Sequence, residues 1–227
     1  LMLLGIALVY GAQGSFTLVK VGFLTTAPSV LLVAGMILLL VSMSFKVSVA
    51  PFHFWTPDVY DGAPTVFTSF MATIVKAAVF LAFIRLFDEA FGVLQPQWKL
   101  FVAIITVATL FIGNITAVFQ QSVKRMLAYS SIAQAGFMFL SLYSMNADAK
   151  EGLLLYTAAY SFATIGIFAV LIKMNDYTFD GFNGFAKQQP LLAATTTIFL
   201  LSLAGIPLTA GFIAKFYMLK AAMADGK

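Results

Sequence analysis

The chain has 227 residues, 61% of them hydrophobic and 10% charged, with a mean hydropathy of +0.97. A soluble domain carries about 25% charged residues, so a water-soluble globule, a disordered chain, a coiled coil and a nucleic-acid binder are excluded. The 13 Lys and Arg against 9 Asp and Glu leave a net charge of +4, spread without a basic block and so uninformative about partners.

Charge-free runs organise the chain. A helix needs about 20 apolar residues to cross the roughly 30 Å hydrocarbon layer of a bilayer. Runs long enough lie before Lys20 and between Lys20 and Lys46, Lys99 and Lys124, Arg125 and Asp148, Glu151 and Lys173, and Lys187 and Lys215. The run from Asp61 to Arg85 qualifies despite Lys76. These runs predict an all-α, polytopic transmembrane bundle of seven helices in one domain. The helices cover residues 1–11, 29–60 (broken near Pro51), 64–87, 98–119, 124–145, 150–174 and 190–224 (broken near Pro207). Strands are not expected, because backbone in lipid must satisfy its own hydrogen bonds and the runs are too long for barrel strands. The chain opens and closes beside apolar runs, with no initiator Met and no signal-peptide pattern. It is therefore expected to be an internal piece of a longer membrane protein.

Both interrupted helices carry proline. VAPFHFWTPD places Pro51 and Pro57 within and at the end of the second helix, and LAGIPLTAGF places Gly205, Pro207 and Gly211 inside the seventh. Proline removes an intrahelical hydrogen bond. Freed carbonyls at membrane depth are tolerated only against protein or water. Broken helices in two corresponding halves point to ion-transport sites built from repeats. Lys46 precedes Pro51 and Lys215 follows Pro207, the reversed order of an inverted arrangement.

Lys46, Lys76 and Lys215 sit in apolar surroundings. An ammonium at the bilayer centre costs roughly 2.5–3.5 kcal/mol or more, so the three ask for a role. The simpler reading, a long stem carrying the charge to the interface, suits Lys20, Lys99 and Lys220 better than Lys76, which lies midway along its helix. Polar residues recur at helical spacing beside these lysines: Ser69, Thr73 and Lys76; Ser42 and Lys46; Thr109, Gly113, Thr116 and Gln120; Ser130, Gln134 and Ser141; Thr157, Ser161 and Thr164. Any one stripe knits helices together. With the lysines, they predict a hydrated interior path.

Other charged and polar positions keep two readings. His53, beside Phe54 and Trp55, either satisfies carbonyls freed by the kink or gates a proton. Asp58 and Asp61 are expected as caps or turn residues, and Lys124 and Arg125 as markers of a surface loop. Lys173 is either a helix-end lysine reaching the interface or the end of a proton exit. Lys124, Arg125, Lys173 and Lys187 at one face balance Lys20, Arg85, Lys99, Lys150, Lys220 and Lys227 at the other too evenly to orient the chain. With no cysteine and one histidine, a disulfide framework, iron–sulfur ligation by cysteine and a thiolate zinc site are excluded.

FKVSVAPFHFWTPDVYDGAP (residues 45–64), NITAVFQQSVKRMLAYSSIAQAGF (114–137) and LSLAGIPLTAGFIAKFYML (201–219) resemble, in the same order, the antiporter-like membrane subunits of respiratory complex I. WTPDVY and GAP are similar to the subunit N branch of that family. The resemblance implies about half of a subunit, from its sixth to its twelfth membrane helix. Residues 1–88 would end one inverted repeat and 97–227 would form most of a second. It implies proton relay by Lys46, Lys76 and Lys215; beside them His53, Gln134, Ser69, Thr73, Ser130 and Lys173 are, by position, candidate accessory residues. It also implies no cofactor and no metal in this chain. NADH and quinone would be used by the whole complex, with other membrane and peripheral subunits and the lipid bilayer as partners, in a bacterial inner membrane. Gln134 stands where some members have histidine; it can order water but cannot take a proton near neutral pH. The family's glutamate expected to pair with Lys46 falls upstream of Leu1. Two other readings remain: a multi-subunit cation/proton antiporter without redox coupling, from which WTPDVY discriminates, and a structural or assembly subunit.

Overall fold

The computed structural model describes residues 1–18, 28–174 and 176–225. Lys20 and Lys227, placed at a membrane edge from the sequence, lie outside these, as does Asn175 in the connection before Pro190.

Eleven α-helices are found among the described residues: α1 Met2–Gln13, α2 Val30–Val47, α3 Trp55–Gly62, α4 Thr65–Phe70, α5 Lys76–Glu89, α6 Gln95–Val118, α7 Val123–Ser144, α8 Ala147–Leu171, α9 Phe185–Gln188, α10 Pro190–Ala204 and α11 Ala210–Asp225. A π-helical stretch, Met71–Val75, joins α4 to α5. Five continuous spans are long and apolar enough to cross a bilayer: Val30–Val47, Thr65–Glu89, Gly92–Val118, Val123–Ser144 and Ala147–Leu171. The expected second helix is α2 and α3 separated by residues 48–54, and the expected seventh is α10 and α11 separated by 205–209. No β-strand occurs among the described residues; Ser122 and Thr178 form an isolated bridge.

Local chemistry sets the ends. Ser29, Ser122 and Asn146 cap the starts of α2, α7 and α8, each side chain accepting from a backbone N–H three residues on and so satisfying a donor with no partner inside the helix. α2 ends at Ser48 (φ 65°) and α10 at Gly205 (φ 80°), left-handed conformations that turn the chain out of the helix.

The α7 helix is central, packing against α3, α5, α6, α8 and α11. Its window is the most buried of the five spans, at 67%. Being enclosed on several sides, it cannot segregate polar residues to a solvent face, and its Ser131 and Gln134 side chains meet groups of neighbouring helices. Gly113 lets α6 approach closely: a Cβ there would lie 2.7 Å from the backbone nitrogen of Ala133. One end of the bundle is closed by aromatic edges, with Phe83 against Phe139 at 5.4 Å and Phe87 against Trp98 at 5.3 Å.

The gap between α2 and α3 is held by side chains. Thr109 Oγ1 on α6 accepts from the Ala50 amide at 2.9 Å, Trp55 Nε1 donates to the Phe45 carbonyl at 3.1 Å, and Thr56 Oγ1 donates to Ser48 Oγ at 2.6 Å. Replacing Thr109 by Val keeps the shape and strands the buried Ala50 N–H, an expected cost of about 1–3 kcal/mol. A lower thermal midpoint of the purified protein is the readout; an unchanged midpoint would show that another group takes the donor.

Lys124 departs from the expectation of a surface loop. It is buried, and its Nζ donates to the carbonyls of Asp61 at 3.0 Å and Ala63 at 2.6 Å. These carbonyls lie at the end of α3, where the intrahelical partners run out and a cation is favoured. Arg125 pairs with Asp58 at 2.7 Å, and Asp61 Oδ1 accepts from Ser122 at 3.2 Å. The two aspartates thus tie α3 to the start of α7. Lys150 pairs with Asp88 at 2.5 Å and Lys220 with Asp148 at 2.9 Å, all partly exposed.

Candidate functional site

Lys76 begins α5 at the close of the π-helical stretch and is 1% exposed. Its Nζ donates to the Ser131 carbonyl at 2.8 Å and to Ser131 Oγ at 2.5 Å. The Tyr160 hydroxyl on α8 donates to the same Ser131 Oγ at 3.0 Å. One serine oxygen on the central helix therefore joins Lys76 on α5 to a tyrosine on α8. No carboxylate pairs with Lys76 among the described residues.

Lys215, half-buried on α11, reaches back across the break between α10 and α11. Its Nζ donates to the carbonyls of Leu203 at 2.7 Å and Ala204 at 3.1 Å, and stands 4.8 Å from the centre of the Phe137 ring. These carbonyls end α10, where Gly205 turns the chain away and the next helical N–H groups are missing. The negative end of the helix dipole lies there too. Gln134 Nε2 donates to the same Leu203 carbonyl at 2.9 Å, while its Oε1 accepts a short hydrogen bond from Tyr156. Gln134 and Lys215 separate a small inner cavity of about 10 Å³ from an outer cleft of about 300 Å³ that reaches Asn114 and Ser130.

The structure brings Lys76, Gln134 and Lys215 around α7, and places Ser130 in the outer cleft. Thr73 is buried one turn before Lys76 and donates to the Ser69 carbonyl at 2.6 Å. Lys46 stands apart: it is exposed among the described residues and lines an apolar groove with Phe45 and Phe52. His53 is buried and stacks on Phe54 at 4.7 Å, its Nδ1 without a partner. At the break itself, Thr109 meets the Ala50 amide and Trp55 the Phe45 carbonyl. Lys173 is exposed just past the end of α8. Among the described residues no cluster of three His, Cys, Asp or Glu side chains could hold a metal ion.

The sequence does not single out Ser131, Tyr156 and Tyr160. The stripe Ser130–Gln134–Ser141 runs one residue beside Ser131, and aromatic hydroxyls read as ordinary core. The available signal is that Tyr156, Tyr160 and Thr164 recur at every fourth position of one helix.

An all-α membrane bundle with two interrupted helices, and with lysines held inside on carbonyls and hydroxyls, has the architecture of antiporter-like membrane proteins. The chain belongs to the NADH:quinone oxidoreductase/Mrp antiporter transmembrane family, whose model matches residues 1–227. It is 43% identical over 225 residues to NADH-quinone oxidoreductase subunit N of Desulforamulus reducens, covering 96% of this chain and 47% of that one. It is also 43% identical over 234 residues to subunit N of Trichlorobacter lovleyi, covering 99% and 48%. The chain thus spans about half the length of the curated relatives it matches. Among solved structures, a chain of respiratory complex I from Thermus thermophilus with bound aureothin superposes with a TM-score of 0.83 at 38% identity, covering 100% of this chain and 49% of that one. A chain of the Mrp complex from Dietzia sp. shares the fold, with a TM-score of 0.87 at 22% identity and coverage of 99% and 42%.

Proposed function

We propose that this chain is about half of a subunit N-type proton-translocating subunit of NADH–quinone oxidoreductase, in a bacterial inner membrane. Protons move through buried lysines and water, driven by redox energy from other subunits. The observation that carries the reading is Lys76, enclosed on Ser131 with no carboxylate beside it among the described residues. Burial favours the neutral form of an amine in general, and an approaching charge reverses that preference. A lysine so placed loads or releases a proton according to its neighbours.

Lys215 exchanges protons with the outer cleft, and Lys46 takes an acidic partner from another part of the complete subunit. His53, Ser69, Thr73, Ser130, Gln134 and Lys173 are accessory groups that order water or lead towards the surface. The interrupted helices occupy equivalent places in two inverted repeats, with residues 1–88 closing the first and 97–227 making most of the second. The chain itself carries no cofactor. NADH and quinone are used by the whole complex, whose other membrane and peripheral subunits are its partners.

The test replaces Lys215 by Gln in the complete complex, reconstituted in vesicles and normalised by NADH oxidation with an artificial acceptor. Proton transfer through this subunit is expected to slow by roughly 10²-fold, the scale for removing a positioned acid–base group. Unchanged protons pumped per NADH would overturn the role of Lys215. The antiporter reading predicts sodium–proton exchange under an imposed pH gradient without NADH. The assembly reading predicts loss of complex yield with pumping per complex intact.

A further inference from the structure

Tyr160 stands between the two lysine sites. It is 4% exposed, and its hydroxyl donates at 3.0 Å to the Ser131 oxygen that also holds Lys76. The residue also lines the inner cavity, which it shares with Gln134, Tyr156, Ser202 and Lys215. The cavity's volume of about 10 Å³ is near the minimum that admits one water molecule, and such a water needs two to four polar partners. The lining residues carry hydroxyl, amide and amine groups able to act in that way. Among the described residues, carboxylates and cations other than Lys215 are absent from this lining, so no other charged group there competes for the proton.

We infer that Tyr160 is a relay residue, passing protons between Lys76 and Lys215 through a single water in the inner cavity. This link rests on the lysine relay proposed above and adds its missing middle. In one direction, Lys76 gives a proton to Ser131 Oγ while the serine hydrogen passes to the Tyr160 oxygen. The tyrosine hydrogen passes to the water, and a water hydrogen passes to the neutral amine of Lys215. Every N–H or O–H bond broken is matched by one formed. Serine, tyrosine and water end neutral, and the positive charge has moved from one lysine to the other. Tyr160 donates to Ser131 in the structure, so each transfer in this direction is prepared by turning the Tyr160 hydroxyl towards the cavity and the Ser131 hydroxyl towards Tyr160. Tyr156 does not substitute, because its hydroxyl is bonded to Gln134 and not to the serine oxygen that holds Lys76.

The experiment measures protons pumped per NADH oxidised by the complete complex in vesicles. Tyr160→Phe keeps the ring and removes the hydroxyl, and is expected to lower pumping through this subunit by about tenfold or more. Tyr160→His, which keeps a donor and an acceptor on a ring, is expected to restore part of it. A purely structural tyrosine gives the opposite order, Phe being the closer mimic. Ala159, half-buried at the cavity wall, supplies an independent pair. Ala159→Val fills the space and is expected to reproduce the loss, whereas Ala159→Ser leaves a hydroxyl in the water's place and is expected to pump. Should Tyr160→Phe fail to assemble, this pair decides, and equal pumping by the two overturns the single-water link. Wild-type stoichiometry in Tyr160→Phe, with pumping lost in Lys76→Met, overturns the Tyr160 relay and leaves the lysine relay standing. Wild-type stoichiometry in Lys76→Met overturns both.

Discussion

Replacing Lys76 by Met is expected to separate function from stability. Methionine nearly matches the length of the lysine stem and carries no charge. The Lys76 ammonium is enclosed and donates to the carbonyl and the hydroxyl of Ser131. Exchanging a buried charged group for an apolar one of similar volume is often neutral or stabilising. The surrounding polar groups keep partners in the variant, since Tyr160 still donates to Ser131 Oγ and the Ser131 carbonyl lies within a helix. The thermal midpoint of the complex is therefore expected to hold or rise. Proton transfer through the subunit is expected to fall by roughly 10²-fold, read as protons pumped per NADH in vesicles. A variant that assembled poorly yet pumped normally per complex would assign Lys76 to structure.

Gly211→Ala is expected to do the reverse, damaging the fold first. A Cβ at Gly211 would lie 1.8 Å from the Ser202 carbonyl oxygen and 2.7 Å from its carbon. Both atoms are backbone, so no side-chain rotation relieves the clash. The Gly211 amide also donates to Ser202 Oγ at 3.1 Å, locking the start of α11 against the last turn of α10. Overpacking of this kind costs about 1–3 kcal/mol or more. Lys215 lies one helical turn further on, so the displacement also draws its Nζ from the Leu203 carbonyl. A reduced yield of assembled complex and a lowered thermal midpoint are the measurements. Gly11, where an added methyl would meet nothing within 4 Å, is the matched control and should accept alanine. Equal midpoints for the two variants would refute this account of the junction.

The spans are legible in the sequence because length and the cost of charge in lipid leave few alternatives. Proline marks both interruptions because it removes a donor, and Gly205 marks the second because it permits a left-handed turn, which Ser48 makes at the first. Sequence periodicity, however, gives the angle of a residue around its helix and not what faces it across a gap. Lys46 and Lys76 carry the same chemistry in similar apolar runs, yet one is exposed among the described residues and the other enclosed. Lys124 looks like a loop residue because it begins a charged pair, while its carbonyl partners belong to the end of α3, far back in the sequence. The π-helical stretch before Lys76 leaves no mark in composition. Its wider turn shifts Lys76 relative to Ser69 and Thr73, so a stripe drawn at α-helical spacing gives only part of the contact set. Tyrosines read as bulk, although their hydroxyls complete the polar connections of α7.

The Leu203 carbonyl accepts from two donors of different character, the Lys215 ammonium and the Gln134 amide. The amide is neutral throughout the physiological pH range, whereas the amine can change its charge. If the amine lets go, the oxygen retains its second partner and the open end of α10 stays anchored. The junction can thus undergo an electrical event without a mechanical stroke, and protonation at this point need not be tied to large travel of the chain.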